Sequence, residues 1–249
     1  MSSKARAGKS RGTDLPPVWT SVLAVIAHPD AESSGLGAVL DAFVLAGVRV
    51  EVLCLTHGQD WTLEEAPGDL AALRGAELAS AADVLGPVRV KMEDCPDGAL
   101  GVGCRAKLAT EVVATADSCH PEGLLVFDAP AAPGRLDHVA TATVALQAAE
   151  TLGLPVLGWT ISDTVAVQLN QEFGAGTTGH QDGEIDLRVT VDRARQRLAS
   201  RIAAGEPVPG SAQWRRLELL AETQSLRWLR PPKGAARRSE TSAPDSPQA

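Results

Sequence analysis

Three of the chain's five histidines stand immediately after short apolar runs, each close to a carboxylate or a glycine turn. His28 follows "VLAVIA" and begins "HPDAE", which brings Asp30 and Glu32 with it; His57 lies in "THG" after "VRVEVLCLT"; His138 closes "GRLDH", next to Asp137 and three residues after Arg135. Imidazoles and carboxylates converging on one edge of a sheet are what a catalytic zinc ion requires: about three N and O donors, with one position left open for water. A further carboxylate beside the ion, not committed to it, takes a proton from that water. The chemistry these residues imply is metal-assisted hydrolysis. Asp and Ser at strand ends also serve as helix caps, and Glu32, Ser33 and Ser34 fit that role as well. "GLGAVL" (35 to 40) has Leu40 where a dinucleotide fingerprint needs its third glycine, so a nucleotide site is the weaker reading. His120 precedes a strand and is placed on the opposite side; His180, in the loop "FGAGTTGHQDGE" (173 to 184), has no partner legible in the sequence. Neither joins the candidate site.

The elements that must position these residues alternate. Apolar runs at 22–27, 48–56, 88–92, 123–128 and 155–161 read as strands, and helical patterns at 34–46, 69–85, 104–117 and 138–152 lie between them, several ending at a glycine (Gly47, Gly86, Gly153). Successive βα units predict a Rossmann-like α/β fold, a mostly parallel sheet flanked by helices. Ligands of such sheets bind beyond the carboxyl ends of the strands, where the order of the strands reverses. Past residue 163 the pattern loosens, with two further helical segments expected at 192–204 and 211–228. Residues 1–17 and 231–249 read as disordered tails, rich in charge, Pro and Ser, which leaves 18–230 as one domain.

Composition narrows the function. The 249 residues are 44% hydrophobic, enough for a sizeable core, and the formal charge of -8 speaks against a nucleic-acid or anionic-membrane surface. No apolar run approaches the roughly 18 residues of a membrane span. The four cysteines (Cys54, Cys95, Cys104, Cys119) have no framework spacing and are expected to be reduced, so the chain is read as cytoplasmic.

The stretch "AHPDAESSGLGAVLDAFVLAGVRVEVLCLTHG" resembles the opening of the PIG-L/LmbE-like zinc-dependent N-acetylglucosaminyl deacetylases, whose signature is AHPDDE. "RGAELASAADVLG" (74 to 86) is similar to that family's R-x-x-E-L segment, and "GRLDHVATATVAL" (134 to 146) to its second signature, H-P-D-H. "AQWRRLELL" and "LRWLR" extend the likeness to about residue 230. The resemblance implies Zn2+ as cofactor and a small-molecule N-acylated sugar or glycoconjugate as substrate. It also implies His28 and His138 as metal ligands, Asp30 as general base, and Asp137 as a carboxylate orienting a neighbouring imidazole. Two positions within the signatures depart from the family. Ala31 stands where an aspartate supplies the third ligand, and Arg135 stands at the first histidine of H-P-D-H, where a guanidinium cannot shuttle a proton but can stabilise an oxyanion. Glu32 is the substitute ligand the sequence offers; Asp30 or His57 are the alternatives. Arg74 and Glu77 pair along a helix or contact substrate. The leading expectation is a zinc-dependent N-deacetylase, and the alternative is a catalytically degenerate member that binds a ligand or partner without turnover.

Overall fold

The computed structural model describes residues 17–29, 35–58, 76, 79–84, 86, 88–101, 105–129, 136–195, 197–198 and 208–234. The expected tails lie outside this set apart from Pro17 and 231–234, and Asp30, Ala31, Glu32, Arg74, Glu77, Cys104 and Arg135 lie outside it too. The strands are β1 (Ser21–Ile26), β2 (Arg49–Thr56), β3 (Arg89–Cys95), β4 (Gly123–Phe127), β5 (Val156–Thr160), β6 (Leu187–Thr190) and β7 (Thr223–Arg230). The helices are α1 (Leu36–Leu45), α2 (Arg105–Cys119), α3 (Leu136–Leu152), α4 (Asp163–Phe173) and α5 (Ala212–Leu220), with a short helical piece across 79–84.

The seven strands form one sheet in the order β3-β2-β1-β4-β5-β7-β6. β1 to β5 are mutually parallel, while β7 runs antiparallel to β5 and β6 antiparallel to β7. The central strands β1, β4 and β5 are buried at every position, as continuous Val, Leu and Ile runs covered on both faces should be. One face packs α1 over Ile26, Val52, Phe127 and Trp159. The other packs α2 and α3 over Leu23, Val25, Leu55 and Val126. Strand order reverses between β1 and β4, because β1 continues to β2 on one side and pairs with β4 on the other. This seam is where such a sheet opens a crevice at its carboxyl edge.

Gly35, which precedes α1, fixes how closely the chain returns to the sheet. Its φ is 128°, and a Cβ there would lie 2.6 Å from the Trp159 ring. Trp159 in turn donates from Nε1 to Gln224 Oε1 at 2.8 Å, tying β5 to β7 beneath the turn.

The expected Rossmann-like architecture and the first five strands are observed. The helical pattern expected over 211–228 is corrected: it ends at Leu220, and Thr223–Arg230 is a strand. The physical reason is tertiary. β5 needs a partner on its outer edge, and "TQSLRWLR" supplies β-branched and aromatic residues that fit between β5 and β6. α4 and β6 arise where the sequence pattern had loosened. No helix among the described residues is long and apolar enough to cross a membrane. Cys54, Cys95 and Cys119 are buried.

Candidate metal centre at the strand ends

β1 delivers His28 two residues past its end, and the chain after β4 delivers Asp137 and His138 in the first turn of α3. Both arrive at the seam where strand order reverses. His28, Asp137 and His138 are buried, with 5%, 3% and 6% of their surface exposed. The His28 and His138 rings stand 5.5 Å apart, tilted 43°. His138 lies flat on Phe127, with centroids 5.0 Å apart and planes within 9°, so the last residue of β4 sets its orientation.

A fourth residue completes the cluster. Asp97 Oδ1 lies 2.6 Å from His28 Nδ1, and its side chain is only 4% exposed. Thr56 Oγ1 is 3.0 Å from the same nitrogen, but that hydroxyl donates to the Ala27 carbonyl at 2.9 Å and so faces His28 as an acceptor. Two acceptors on Nδ1 assign the proton to that atom. In the neutral ring the lone pair is therefore on Nε2. Nε2 points toward Asp137 Oδ2, 3.7 Å away. That separation is too long for a hydrogen bond, yet it suits two donors that share one ion at bond lengths of about 2.0 to 2.2 Å. The 2.6 Å contact on the other edge of the ring leaves no room for an ion. Asp97 thus stands as a carboxylate that fixes the His28 tautomer and leaves Nε2 to face Asp137.

Asp137 is held from the same segment. Its Oδ2 accepts from the Gly98 N–H at 2.7 Å and its Oδ1 from the Leu100 N–H at 3.1 Å. Two backbone donors and the amino end of α3 stabilise the Asp137 carboxylate. Ligand atoms of His28, Asp97 and Asp137 all lie within 4.8 Å of one another. The donor set, N and O without thiolate, fits a divalent ion of the zinc type.

The sequence pointed to His28, Asp137 and His138, and the structure brings those three together. It does not bring His57 to them. His57 Nε2 contacts Asp94 Oδ1 at 2.8 Å, a carboxylate that is 94% exposed, on the side of β2 away from the seam. His120 lies between α2 and β4, at the amino edge of the sheet, as expected. Asp97 was missed. β3 runs to Cys95, three residues past the expected end at 92, so "PDG" (96 to 98) is itself a strand-end turn of the kind that flagged His28. His180, also left outside the site, contacts Asp128 Oδ2 at 2.8 Å beside β5.

The fold and these residues define a class, a Rossmann-like α/β protein with a buried His and carboxylate cluster at its switch point. The PIG-L family model, described as GlcNAc-PI de-N-acetylase, matches residues 23–149, which span β1 to most of α3 and every residue of the cluster. The chain belongs to the PIG-L family. No curated protein matches it. Among solved structures it resembles the N,N'-diacetylchitobiose deacetylase of Pyrococcus horikoshii, with a TM-score of 0.62, 19% identity, and coverage of 86% of this chain and 85% of that one. It also resembles a deacetylase of teicoplanin biosynthesis, with a TM-score of 0.61, 18% identity, and coverage of 84% and 97%. A third similar structure is GalB, the 4-carboxy-2-hydroxymuconate hydratase of Pseudomonas putida KT2440, with a TM-score of 0.63, 16% identity, and coverage of 90% and 100%. Deacetylation and hydration are thus both titled on this fold, and the reaction has to be argued from the site.

Proposed function

We propose that the chain is a zinc-dependent N-deacetylase that hydrolyses an N-acyl group on an amino sugar or related glycoconjugate. One observation carries the reading: Nε2 of His28 faces Asp137 Oδ2 at 3.7 Å, within a buried cluster in which ligand atoms of His28, Asp97 and Asp137 lie within 4.8 Å of one another. Family membership and the deacetylases among the similar structures support it.

His28 and His138 would hold the ion, with Asp137 and Glu32 as the oxygen donors that make up for Ala31. A divalent ion bound there polarises the acyl carbonyl and lowers the pKa of water. The chain supplies the rest. Asp97 keeps the proton on His28 Nδ1, so Nε2 stays a donor to the ion. The backbone N–H groups of Gly98 and Leu100 hold the Asp137 carboxylate in place. Asp30 takes the proton of the attacking water. Arg135, permanently charged, stabilises the oxyanion that develops on the former carbonyl oxygen.

Ala31 favours a second reading, a family member that binds its ligand without turnover. Acetate release separates the two. Wild-type protein loaded with zinc should release acetate from N-acetylglucosamine or N,N'-diacetylchitobiose, and Asp30→Asn should abolish release while zinc stays bound. Zinc-loaded protein that hydrolyses no N-acetyl amino sugar removes the deacetylase reading.

A further inference from the structure

We infer that His180, held by Asp128 and Arg227, is the imidazole that protonates the leaving amine. The inference rests on the proposed deacetylation and adds to it a residue from outside the metal cluster.

Placement is the first argument. β1 and β4 pair with Ala24 opposite Leu125, so the register continued to the strand ends sets Asp128 level with Ala27, one residue before His28. Neighbouring strands lie about 4.8 Å apart, and Phe127, just before Asp128, carries the His138 ring. The metal cluster and Asp128 therefore share one stretch of the carboxyl edge. The β2 side of His28 is filled by Thr56 and Asp97.

The strap that carries His180 is fixed there. His180 N–H donates to the Ile161 carbonyl, and Asp163 N–H donates to the His180 carbonyl, both at 2.9 Å. Gly179 makes the close approach possible, since a Cβ there would lie 2.5 Å from the Ser162 backbone. Farther along the strap, Asn170 clamps Thr177 through two hydrogen bonds of 2.7 and 2.8 Å.

The ring is equipped for proton transfer. Its Nε2 lies 2.8 Å from Oδ2 of Asp128, a carboxylate whose side chain is 5% exposed, so Nε2–H donates there and Nδ1 carries the exchangeable proton. The charged groups facing the ring are Asp128 from β4, Glu184 Oε2 at 3.7 Å from Nδ1, and Arg227 Nη1 from β7 at 3.4 Å from Nε2. Arg227 also donates to Asp128 Oδ2 at 3.2 Å, which keeps the carboxylate in place when the ring changes charge.

The step balances. Water gives a proton to Asp30 and its oxygen bonds to the acyl carbon. The C–N bond then breaks with its electron pair going to nitrogen, which takes the proton from His180 Nδ1. Acetic acid, the free amine and neutral His180 result; the acid loses its proton to solvent as acetate, and the proton on Asp30 returns to His180 through solvent before the next turnover.

The test compares His180→Gln and His180→Ala with wild type in zinc-loaded protein, by acetate release from N-acetylglucosamine and N,N'-diacetylchitobiose. Gln still donates to Asp128, so the strap is kept while the transferable proton is lost. The expected result is a loss of kcat of about 100-fold or more, KM within about threefold, unchanged zinc content, and disappearance of the alkaline fall in the pH profile. Added imidazole should restore part of the activity of His180→Ala. A variant with wild-type kcat and pH profile, or His180→Ala that imidazole does not rescue, overturns the inference and leaves the deacetylase reading standing. Wild-type protein inactive on both substrates overturns the deacetylase reading, and this inference with it.

Discussion

Replacing Asp97 by asparagine tests the cluster at the residue the sequence did not reveal. Asparagine keeps an oxygen that accepts from His28 Nδ1–H, so the 2.6 Å contact survives in shape. What is lost is the negative charge that makes Nε2 a stronger donor and pairs with the ion's charge. Removal of such an outer partner weakens metal binding about 10- to 100-fold. With free zinc held at about 100 times the wild-type Kd, binding stabilises the wild type by about 2.7 kcal/mol, and a 10- to 100-fold weaker site leaves about 1.4 to 0.4 kcal/mol. The difference is about 1.3 to 2.3 kcal/mol, and at about 2 to 4 °C per kcal/mol for a chain of this size it shrinks the zinc-induced rise in Tm by about 3 to 9 °C. The assay is thermal unfolding of metal-free and zinc-loaded protein at fixed free zinc, wild type beside variant. A zinc-induced rise in Tm equal to that of the wild type would refute the orienting role of Asp97.

Other consequences follow from burial and backbone geometry. Cys119, 6% exposed, has its thiol pushed up to about 12, first by burial and then by Glu51. It should resist alkylation at pH 8 in folded protein and react after unfolding, as read by mass spectrometry of the labelled peptides. Because its folded pKa lies above the unfolded value, its contribution to stability is complete below about pH 9 and is lost as pH rises toward 12; denaturant midpoints of wild type and Cys119→Ala should converge over that window. Gly35→Ala combines a φ of 128° with a Cβ 2.6 Å from Trp159, and should cost on the order of 2 to 4 kcal/mol, seen as a fall in Tm and a changed Trp emission. Glu32→Ala should lower zinc affinity if Glu32 makes up for Ala31; unchanged zinc content removes Glu32 from the ligand set.

The parts of the fold legible in the sequence are those whose signal is local. β1, β4 and β5 are continuous apolar runs bounded by glycines and helix patterns, and a parallel sheet buried on both faces produces that signature. His28 and His138 were visible because strand-end position is itself a local feature. Asp97 was not, because β3 is an edge strand of mixed burial whose polar end "MEDC" does not look like strand. β7 was mistaken for helix because its assignment depends on an open edge of β5 more than 60 residues away, which no local pattern records. α4 had its signals, with Ser162 capping its start and Gly174 in a left-handed conformation at its end, but its polar sequence buries only Ala166 and Leu169 and so shows little periodicity. The partnership of His180 with Asp128 and Arg227 joins three segments and was invisible for the same reason as β7.

The proposed site holds one divalent ion between His28, Asp137 and His138, with Asp97 behind His28. The most direct measurement is elemental analysis of untagged protein purified without chelator, wild type beside His28→Ala. Close to one equivalent of zinc or a related divalent metal is expected in the wild type and almost none in the variant. A folded wild-type protein that carries no metal and takes up none from a micromolar zinc solution would contradict it.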